Sequence, residues 1–462
     1  MLPPTVTVTQ KGAKRARAGH PWIFRADVAR PPDGLVSGAE VRLADARGNF
    51  IARGFWAAKS PIALRVLSRQ DTALDEELLV ARLRIAYERR RAMFPGRDAF
   101  RLVHGEADLL PGYFADLYDG VAAVQHLAEW AEARREQLAR ILVELTGARS
   151  VVARDDGSAR DFEQLPRRRE PLFGNDFRAR YHEGDVALEV DLLADHKTGG
   201  YLDQAENHLR AGELARGEAL DAFCYHGGFA LQLARKATQV LAIDQDATAV
   251  QRTRENAIRN GLGNLEVRAQ NAIEALRAFD GEGRRFDTIV LDPPAFAKRK
   301  EGLEGALRAY REINYRAVRI LKPGGLLVTC SCSGRVTNEL FGEVVAWASQ
   351  EAKRPLQLLE RRGASRDHPP LIGVPETEYL KAWFQIGCFC LLAASRICSK
   401  TRLGGVQPHS CSTSEIFSTS DRMRSHSCSP MAQNAATPFG SSWVPATRCI
   451  STSAAPCGCA LR

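Results

Sequence analysis

The chain has 462 residues, of which 45% are hydrophobic and 26% charged, and its net charge is +9. These values are ordinary for a folded protein and exclude a collagen-like or fully disordered chain. No apolar run reaches the ~18 residues that a membrane-spanning helix needs, and the first residues lack the apolar core of a signal peptide. We therefore expect a cytoplasmic protein of about three domains.

Positive charge is concentrated at the two ends of the chain. Residues 1–70 carry 12 Lys and Arg against 4 Asp and Glu, and residues 388–462 carry 7 against 2. The residues between them carry a small net negative charge. A basic N-terminal segment favours a polyanionic partner, because clustered cations release counterions from a phosphate backbone. A solvated basic face is the alternative interpretation.

The predicted elements divide the chain into three folded segments. Residues 1–70 contain short strands between Gly and Pro turns, which is typical of a small β-barrel or sandwich. Residues 71–185 begin with a helical pattern over 75–93 and continue as a mixed α+β segment. Residues 186–387 alternate apolar strands with helix-length stretches, which predicts a doubly wound α/β sheet. The ligand of such a sheet binds at the carboxyl ends of its strands.

The last segment, residues 388–462, has a different composition. It contains 14 Ser and 8 of the 11 Cys, few acidic residues and no sustained hydrophobic period. We expect it to be disordered, and we interpret it as a frameshifted or read-through end of the gene. Sequencing the locus for an intact stop near codon 387 tests that hypothesis. Paired C-x-x-C zinc spacing is missing from the sequence, so we expect no metal site.

A glycine turn follows the first predicted strand of the α/β segment. It runs from Asp221 to Phe229, and its glycines allow the backbone to turn tightly and approach a ligand. The turn lacks the G-x-G-x-x-G pattern, which disfavours a dinucleotide. Asp244 ends the next predicted strand, where a carboxylate can accept hydrogen bonds from both hydroxyls of a ribose.

A second motif, Leu-Asp-Pro-Pro, follows a later strand. The two prolines hold the chain extended and cannot extend the sheet, so they direct Asp292 and the nearby carbonyls into the cleft. The alternative is a stiff connecting loop without a ligand. An acid directly before two prolines is unusual for a simple turn.

These motifs together resemble one family. GHPWIF, FRLVHGEADLLPGYFADLYDG, DHKTGGYLDQAENH, DAFCYHGGFALQLA, LDPPAFAK and DHPPLIGVPETEYLKAW occur in the order found in the RlmI family of 23S rRNA cytosine-C5 methyltransferases. The resemblance covers residues 5 to about 387. It implies an N-terminal PUA-like module, a central α+β domain and a Rossmann-like catalytic domain with a mostly parallel seven-stranded sheet. It also implies S-adenosylmethionine (SAM) as cofactor.

The resemblance also assigns cofactor-binding residues by position. It implies that Phe223, Tyr225 and Gly227 line the methionine end of SAM and that Asp244 holds its ribose. Asp221 and Asp292 are also expected to bind the cofactor. The residues implied to close over the same pocket are Lys197, Thr198, Tyr201, Asp203 and Gln204. Asn271 stands where the family commonly has an Asp facing the adenine amino group. An amide oxygen can also accept that hydrogen bond, so we expect binding to survive.

Cys332, in the stretch TCSCSG, is the predicted nucleophile. Attack of its thiolate on cytosine carbon 6 would make carbon 5 reactive toward the sulfonium methyl. Asp292 would stabilise the charge that develops on the base, and Pro293 and Phe296 are expected to contact the RNA. Cys330, two residues earlier on the predicted strand, would share its face. We interpret Cys330 as a small buried hydrophobe.

The basic N-terminal segment then has an RNA partner, namely 23S rRNA or an assembling large subunit. Lys11, Lys14, Arg15 and Arg17 are expected in the loop before Trp22, where they would contact phosphates. For Trp22 itself we favour core packing over stacking on a base. A homodimer is allowed by the sequence and not indicated by it.

Two other functions stay open at this point. A D-P-P motif also orients exocyclic amino groups in N-methyltransferases, although here Ala295 precedes the aromatic Phe296. Such an enzyme would need no thiol. The other alternative is an RNA-binding or ribosome-assembly factor without catalysis, for which Asn271 and the unusual tail are the only support.

Overall fold

The computed structural model of the protein describes residues 3–195, 199–296 and 302–388. Lys197 and Thr198 therefore lie outside the described residues, as does the predicted disordered tail from residue 389 onward. Within these ranges no helix is both long enough and apolar enough to cross a membrane.

The N-terminal segment forms a six-stranded sheet with one helix. Its elements are β1 (Thr5–Val8), α1 (Gln10–Arg17), β2 (Trp22–Phe24), β3 (Val28–Arg30), β4 (Glu40–Ala44), β5 (Phe50–Trp56) and β6 (Ile62–Ser68). The strand order is β2-β6-β5-β4-β1-β3, and only the β1/β4 pair is parallel. Alternating apolar residues such as Val6, Val8, Leu43 and Leu64 bury one side of the sheet.

The central segment combines a five-stranded sheet with helices. Its elements are α2 (Glu76–Met93), β7 (Ala99–His104), β8 (Tyr113–Tyr118), β9 (Val121–His126), α3 (Glu129–Glu132), α4 (Arg135–Thr146), β10 (Ser150–Asp155) and β11 (Arg168–Phe173). The helical pattern over 75–93 is confirmed. Asp75 caps α2 by accepting a hydrogen bond from the Leu78 N–H, and Gly147 ends α4 in the left-handed conformation.

A hairpin joins the central segment to the third segment. Its strands are β12 (Arg178–Glu183) and β13 (Val186–Asp191). The predicted boundary between residues 185 and 186 falls inside this hairpin, so a division there would separate two paired strands. The hairpin contributes Tyr181, Leu188 and Val190 to a core shared with Leu202 and Leu231 of the next segment.

The third segment is a doubly wound sheet of seven strands. Its elements are α5 (Ala205–Leu214), β14 (Glu218–Ala222), α6 (Gly228–Ala234), β15 (Gln239–Asp244), α7 (Ala247–Arg259), β16 (Leu265–Ala269), α8 (Ala272–Glu282), β17 (Phe286–Leu291), α9 (Leu303–Ile320), β18 (Leu321–Ser331), α10 (Asn338–Glu351), β19 (Leu356–Arg362) and β20 (Lys381–Gly387). The order is β16-β15-β14-β17-β18-β20-β19, with β20 antiparallel to both neighbours. The predicted α/β architecture is confirmed.

Polar contacts between segments hold them in one arrangement. The loop before β20 inserts Asp367 against the central segment, where its carbonyl accepts from Arg90 (2.9 Å) and its carboxylate accepts from the Arg101 N–H (2.8 Å). On the other side, the Trp22 indole N–H donates to Glu106 (2.9 Å). Trp22 is thus a half-buried, hydrogen-bonded residue between the first two segments and is not part of the core of the N-terminal sheet.

Candidate active site

A cavity of about 590 Å³ lies at the carboxyl ends of β14, β15, β17 and β18. The chain leaves β14 toward β15 on one side of the sheet, and β17 pairs with β14 on the other side. Ligands of doubly wound sheets bind at such a switch point. The cavity wall contains these residues singled out in the sequence: Tyr201, Asp203, Gln204, Phe223, Tyr225, Asp244, Asn271, Asp292, Pro293, Phe296 and Cys332.

The glycine turn is held in an unusual backbone conformation. Phe223, Tyr225 and Gly227 have φ values of 72°, 47° and 88°, in the left-handed region that side chains rarely adopt. The N–H groups of Phe223 and Cys224 both donate to the Ile243 carbonyl at 2.9 Å, which fixes this conformation. Strain of this kind persists where surrounding contacts determine it and is typical of ligand sites.

Gly227 has a structural role in the turn. It precedes α6, and a Cβ at this position would lie 2.8 Å from a methyl carbon of Thr253. A glycine is therefore needed here for the turn and for the close approach of α7. Its neighbours Tyr225, His226 and Gly228 line the cavity, and contact between Gly227 and the methionine end of a cofactor stays a prediction.

The carboxylate of Asp244 is fixed at the end of β15. One oxygen accepts from the Tyr225 N–H and the other from the Asp246 N–H, both at 2.9 Å. A carboxylate oxygen has more than one lone pair, so both oxygens can still accept a hydroxyl from the cavity. This geometry suits a ribose.

Asp221 lies beneath the cavity rather than on its wall. The side chain is fully buried and has no side-chain hydrogen-bond partner among the described residues, and the backbone N–H of Ala230 in α6 is a donor to it. Desolvation, followed by repulsion from Asp292, raises the pKa of Asp221 to about 8. A cationic ligand in the cavity above would compensate this buried carboxyl. The sequence predicted contact between Asp221 and the cofactor, but Asp221 is not among the residues that line the cavity.

Asn271 caps helix α8 and also borders the cavity. Its side-chain oxygen accepts from the N–H groups of Ile273 (2.9 Å) and Glu274 (3.2 Å). These two donors occupy both lone pairs of an amide oxygen. While this cap is intact, the oxygen has no lone pair left for an adenine amino group. An Asp would keep a second oxygen for the cavity.

The segment before α5 covers one side of the cavity. The Tyr201 ring packs edge-on against Tyr225 with 4.7 Å between centroids. Asp203 accepts from the Tyr379 hydroxyl (2.7 Å), and its carbonyl accepts from the Ser365 N–H (2.7 Å). The stretch predicted to close over the pocket is therefore tied to the loop before β20.

Cys332 and Asp292 come together from neighbouring strands. Asp292 follows β17 and Cys332 follows β18, and these strands pair side by side. The Cys332 sulfur lies 3.9 Å from the Pro293 carbonyl oxygen, and its side chain is half-buried at the cavity wall. The pairing of these strands therefore brings the thiol and the Leu-Asp-Pro-Pro motif to the same part of the cavity wall.

Cys330 and Cys332 do not share an environment, although a common strand face was expected. The strand ends at Ser331, so alternation no longer determines the direction of Cys332. Cys330 is completely buried in a core with Val328 and Phe384. Burial raises the pKa of the Cys330 thiol well above its usual value, which makes it an inert hydrophobe.

Two buried groups at the site were missed by sequence reasoning. His208 bonds Glu183 of β12 at 2.7 Å; burial opposes the charged imidazole, but Glu183 raises the pKa of His208. Lys381, at the start of β20, lies behind Cys332. Both depend on contacts between residues far apart in the sequence, so no local pattern could have indicated them.

The four N-terminal cations lie in helix α1 and not in a loop. Thr9 caps this helix by accepting from the Gly12 N–H, and small residues bury its inner face. Lys11 and Lys14 are exposed. Arg15 pairs with the buried Asp27 at 2.5 Å, and Arg17 pairs with Asp45 at 2.6 Å. The loop prediction was wrong because the caps and the buried alanines stabilise a helix.

The residues present fit SAM. The cavity has strand-end carboxylates for the ribose and a buried, uncompensated carboxyl for the cationic end. A model of a methyltransferase domain matches residues 215–373, and a model of a PUA-like domain matches residues 6–69. A candidate SAM-dependent methyltransferase from Streptococcus mutans has the same fold, with a TM-score of 0.71, 15% identity, and coverage of 83% of this chain and 100% of that one. The fold and site define a class I SAM-dependent methyltransferase.

Curated relatives identify the family. "Ribosomal RNA large subunit methyltransferase I" of Tolumonas auensis is 37% identical over 387 residues, which cover 82% of this chain and 98% of the relative. The protein of the same name from Erwinia tasmaniensis is 34% identical, covering 79% and 94%. The chain belongs to the ribosomal RNA large subunit methyltransferase I family.

Proposed function

We propose that this protein transfers a methyl group from SAM to carbon 5 of a cytosine in 23S rRNA, with Cys332 as the nucleophile. The names of its relatives support ribosomal RNA of the large subunit as the substrate. The observation that carries the cytosine assignment is the half-buried thiol of Cys332 at the wall of the cofactor cavity, next to the Asp292 motif. An N-methyltransferase has no use for such a thiol.

The proposed reaction follows from the weak nucleophilicity of cytosine carbon 5. The Cys332 thiolate attacks carbon 6, and the electron pair of the 5,6 double bond becomes available at carbon 5. SAM supplies an electrophilic methyl group on a sulfonium. Carbon 5 takes this methyl group as the methyl–sulfur bond of the sulfonium breaks and S-adenosylhomocysteine leaves. Carbon 5 then loses its proton to water as the carbon–sulfur bond to Cys332 breaks, which restores the double bond and the thiolate.

Asp292 acts on the opposite edge of the base in this scheme. Attack at carbon 6 pushes negative charge toward N3 and the carbonyl oxygen of cytosine. A fixed carboxyl group at this position stabilises that charge by donating or sharing a proton. Phe296, whose ring packs against Tyr310 with 4.9 Å between centroids, gives the base an apolar wall.

The N-terminal domain is proposed to dock the RNA. The exposed cations of α1, Lys11 and Lys14, suit phosphate contacts, which position an RNA without reading its sequence. Arg15 and Arg17 already have carboxylate partners and are weaker candidates. The substrate is free 23S rRNA or an assembling subunit, which the protein would meet in the cytoplasm.

The test is transfer of labelled methyl from SAM to unmodified 23S rRNA by the wild type, Cys332→Ala and the matched control Cys330→Ala. We expect label on cytosine carbon 5 with the wild type and the control, and none with Cys332→Ala. Equal label with all three would remove Cys332 from the mechanism and move the target to an amino group. Absence of label with folded proteins would leave only an RNA-binding factor.

A second assay traps the covalent step directly. In RNA that contains 5-fluorocytosine, carbon 5 has no proton to lose after methylation, so the adduct with Cys332 accumulates. We expect a denaturation-resistant protein–RNA complex with the wild type and with Cys330→Ala. Cys332→Ala should give none.

A further inference from the structure

Lys381 is placed beside the nucleophile by strand pairing. It is the first residue of β20 and lies opposite Ser331, the last residue of β18, in the antiparallel ladder. Cys332 is the next residue after Ser331. The Lys381 side chain is only 3% exposed, so its ammonium group is enclosed behind the turn that carries the thiol.

The ammonium group of Lys381 is held by neutral groups. It donates to the carbonyl oxygens of Ser333 and Tyr379, both at 2.8 Å. These two bonds leave one N–H of the three for another acceptor, and none of the described carboxylates lies within 4.0 Å of it. A buried ammonium without a counter-ion is unfavourable, and desolvation lowers the pKa of Lys381 to about 8.

The groups that favour the charged form of Lys381 are few. Cys332 and Glu378 are the ones identified, and Glu378 is exposed to solvent, where its field is weak. On the buried side the anion that Lys381 can pair with is therefore the thiolate of Cys332. An adjacent lysine is one of the ordinary ways in which proteins stabilise a thiolate.

We propose that Lys381 is a positioning residue that holds Cys332 as a thiolate ready for attack. This inference rests on the proposed role of Cys332 as nucleophile. The thiol proton passes to solvent, the sulfur keeps the electron pair, and the ammonium keeps its three protons. When the sulfur later attacks carbon 6, its charge moves to the base and Lys381 remains in place through its two carbonyl contacts.

Among the described residues that interact electrostatically with the thiol, the groups other than Lys381 are neutral or acidic. Burial raises the pKa of Tyr201 and raises the pKa of Tyr310 to about 12, so both phenols are neutral near pH 7. The Cys330 thiol is neutral for the same reason. Asp292 interacts with these same groups and would oppose a thiolate when it is ionised. Among the described groups that interact with Cys332, Lys381 is the cation.

The test measures alkylation of Cys332 by iodoacetamide as a function of pH in the full-length protein, quantified on its peptide by mass spectrometry. Removing one adjacent positive charge raises the pH midpoint for alkylation of a thiol by about one unit or more. In Lys381→Met, Cys332 should therefore be alkylated roughly tenfold more slowly than in the wild type at pH 7, and at the wild-type rate at pH 9. Lys381→Arg keeps the charge and should keep the wild-type profile. The matched control is Lys236→Met, because the Lys236 ammonium also donates to a carbonyl, that of Glu213, but lies beyond the end of α6 and is not a cavity residue.

SAM affinity and melting temperature show whether Lys381→Met is folded. If the folded variant has the wild-type profile, the proposal is overturned. If the variant does not fold, the test uses the wild type alone. The proposal then requires that the pH midpoint for alkylation of Cys332 lies below that of the exposed Cys388 in the same sample. An equal or higher midpoint for Cys332 also overturns the proposal. No RNA enters this assay, so it can fail or succeed separately from the methyl-transfer test of Cys332.

Discussion

The buried carboxyl of Asp221 makes both folding stability and SAM binding depend on pH, and Asp221→Asn is the variant that removes this dependence. The pKa of Asp221 is about 8 in the folded protein against an ordinary value of 3.8. Between these values the folded state holds a proton that the unfolded state has lost. Stability is therefore greatest at low pH and declines as the pH rises through 8.

The size of the effect follows from this difference in pKa. Each unit corresponds to about 1.4 kcal/mol, and the loss accumulates steadily from about pH 4 until it levels off above the folded pKa. From pH 6 to pH 8 the wild type should lose about 2 kcal/mol of unfolding free energy through this one group. SAM is cationic and favours the ionised carboxylate, so its binding should release about 0.9 proton at pH 7. Its affinity should rise close to tenfold from pH 6 to 7 and level off above 8.

Urea unfolding without SAM at pH 6 and pH 8 measures the first effect. Calorimetry in buffers of different ionisation enthalpy measures the released proton. Asp221→Asn should show a stability loss about 2 kcal/mol smaller than that of the wild type, and a flat SAM affinity. Asp185→Asn, which changes a carboxylate that is 80% exposed, is the control and should behave like the wild type. Parallel pH curves for the wild type and Asp221→Asn would refute the reasoning.

Two further predictions concern the cofactor and the RNA. Asn271→Asp should tighten SAM binding roughly tenfold, because one oxygen keeps the α8 cap and the other accepts from the cofactor; an unchanged dissociation constant in calorimetry would contradict this. Lys11→Ala and Lys14→Ala should each lower the salt-dependence slope of RNA binding by about 1 without changing the melting temperature. Arg15→Ala should instead lower the melting temperature, because it leaves Asp27 buried without its partner; a change in salt slope alone would show that Arg15 contacts phosphate.

The sequence predicted the elements whose signals are local. The apolar runs of β14, β15, β17 and β18 and the helical period of α2 all appear where expected, because burial and periodicity are properties of short stretches. The strand-end acids Asp244 and Asp292 were found for the same reason. Each follows an apolar strand directly, and parallel strands bring their carboxyl ends to one edge.

The features that the sequence did not predict depend on contacts between residues far apart in the chain. Helix α1 was mistaken for a loop because its stability comes from a cap at Thr9 and from packing of Ala13 and Ala16 against strands, not from its basic sequence. The cap made by Asn271 is likewise a property of where α8 begins. Lys381 could not be connected with Cys332, since 49 positions separate them until β20 pairs with β18.

Because β20 pairs with β18 but follows it by about fifty residues, the order of synthesis leaves β18 exposed to aggregation for a time. β18 is an 11-residue apolar strand, and until residue 381 and its successors are synthesised, one of its edges has no strand to pair with. Unpaired apolar edges of this length recruit strands from other chains. During synthesis the protein therefore passes through a stage, about fifty residues long, in which this edge of β18 is not yet paired with β20. Premature termination in that interval yields a chain that needs a chaperone or a protease rather than a partly active enzyme.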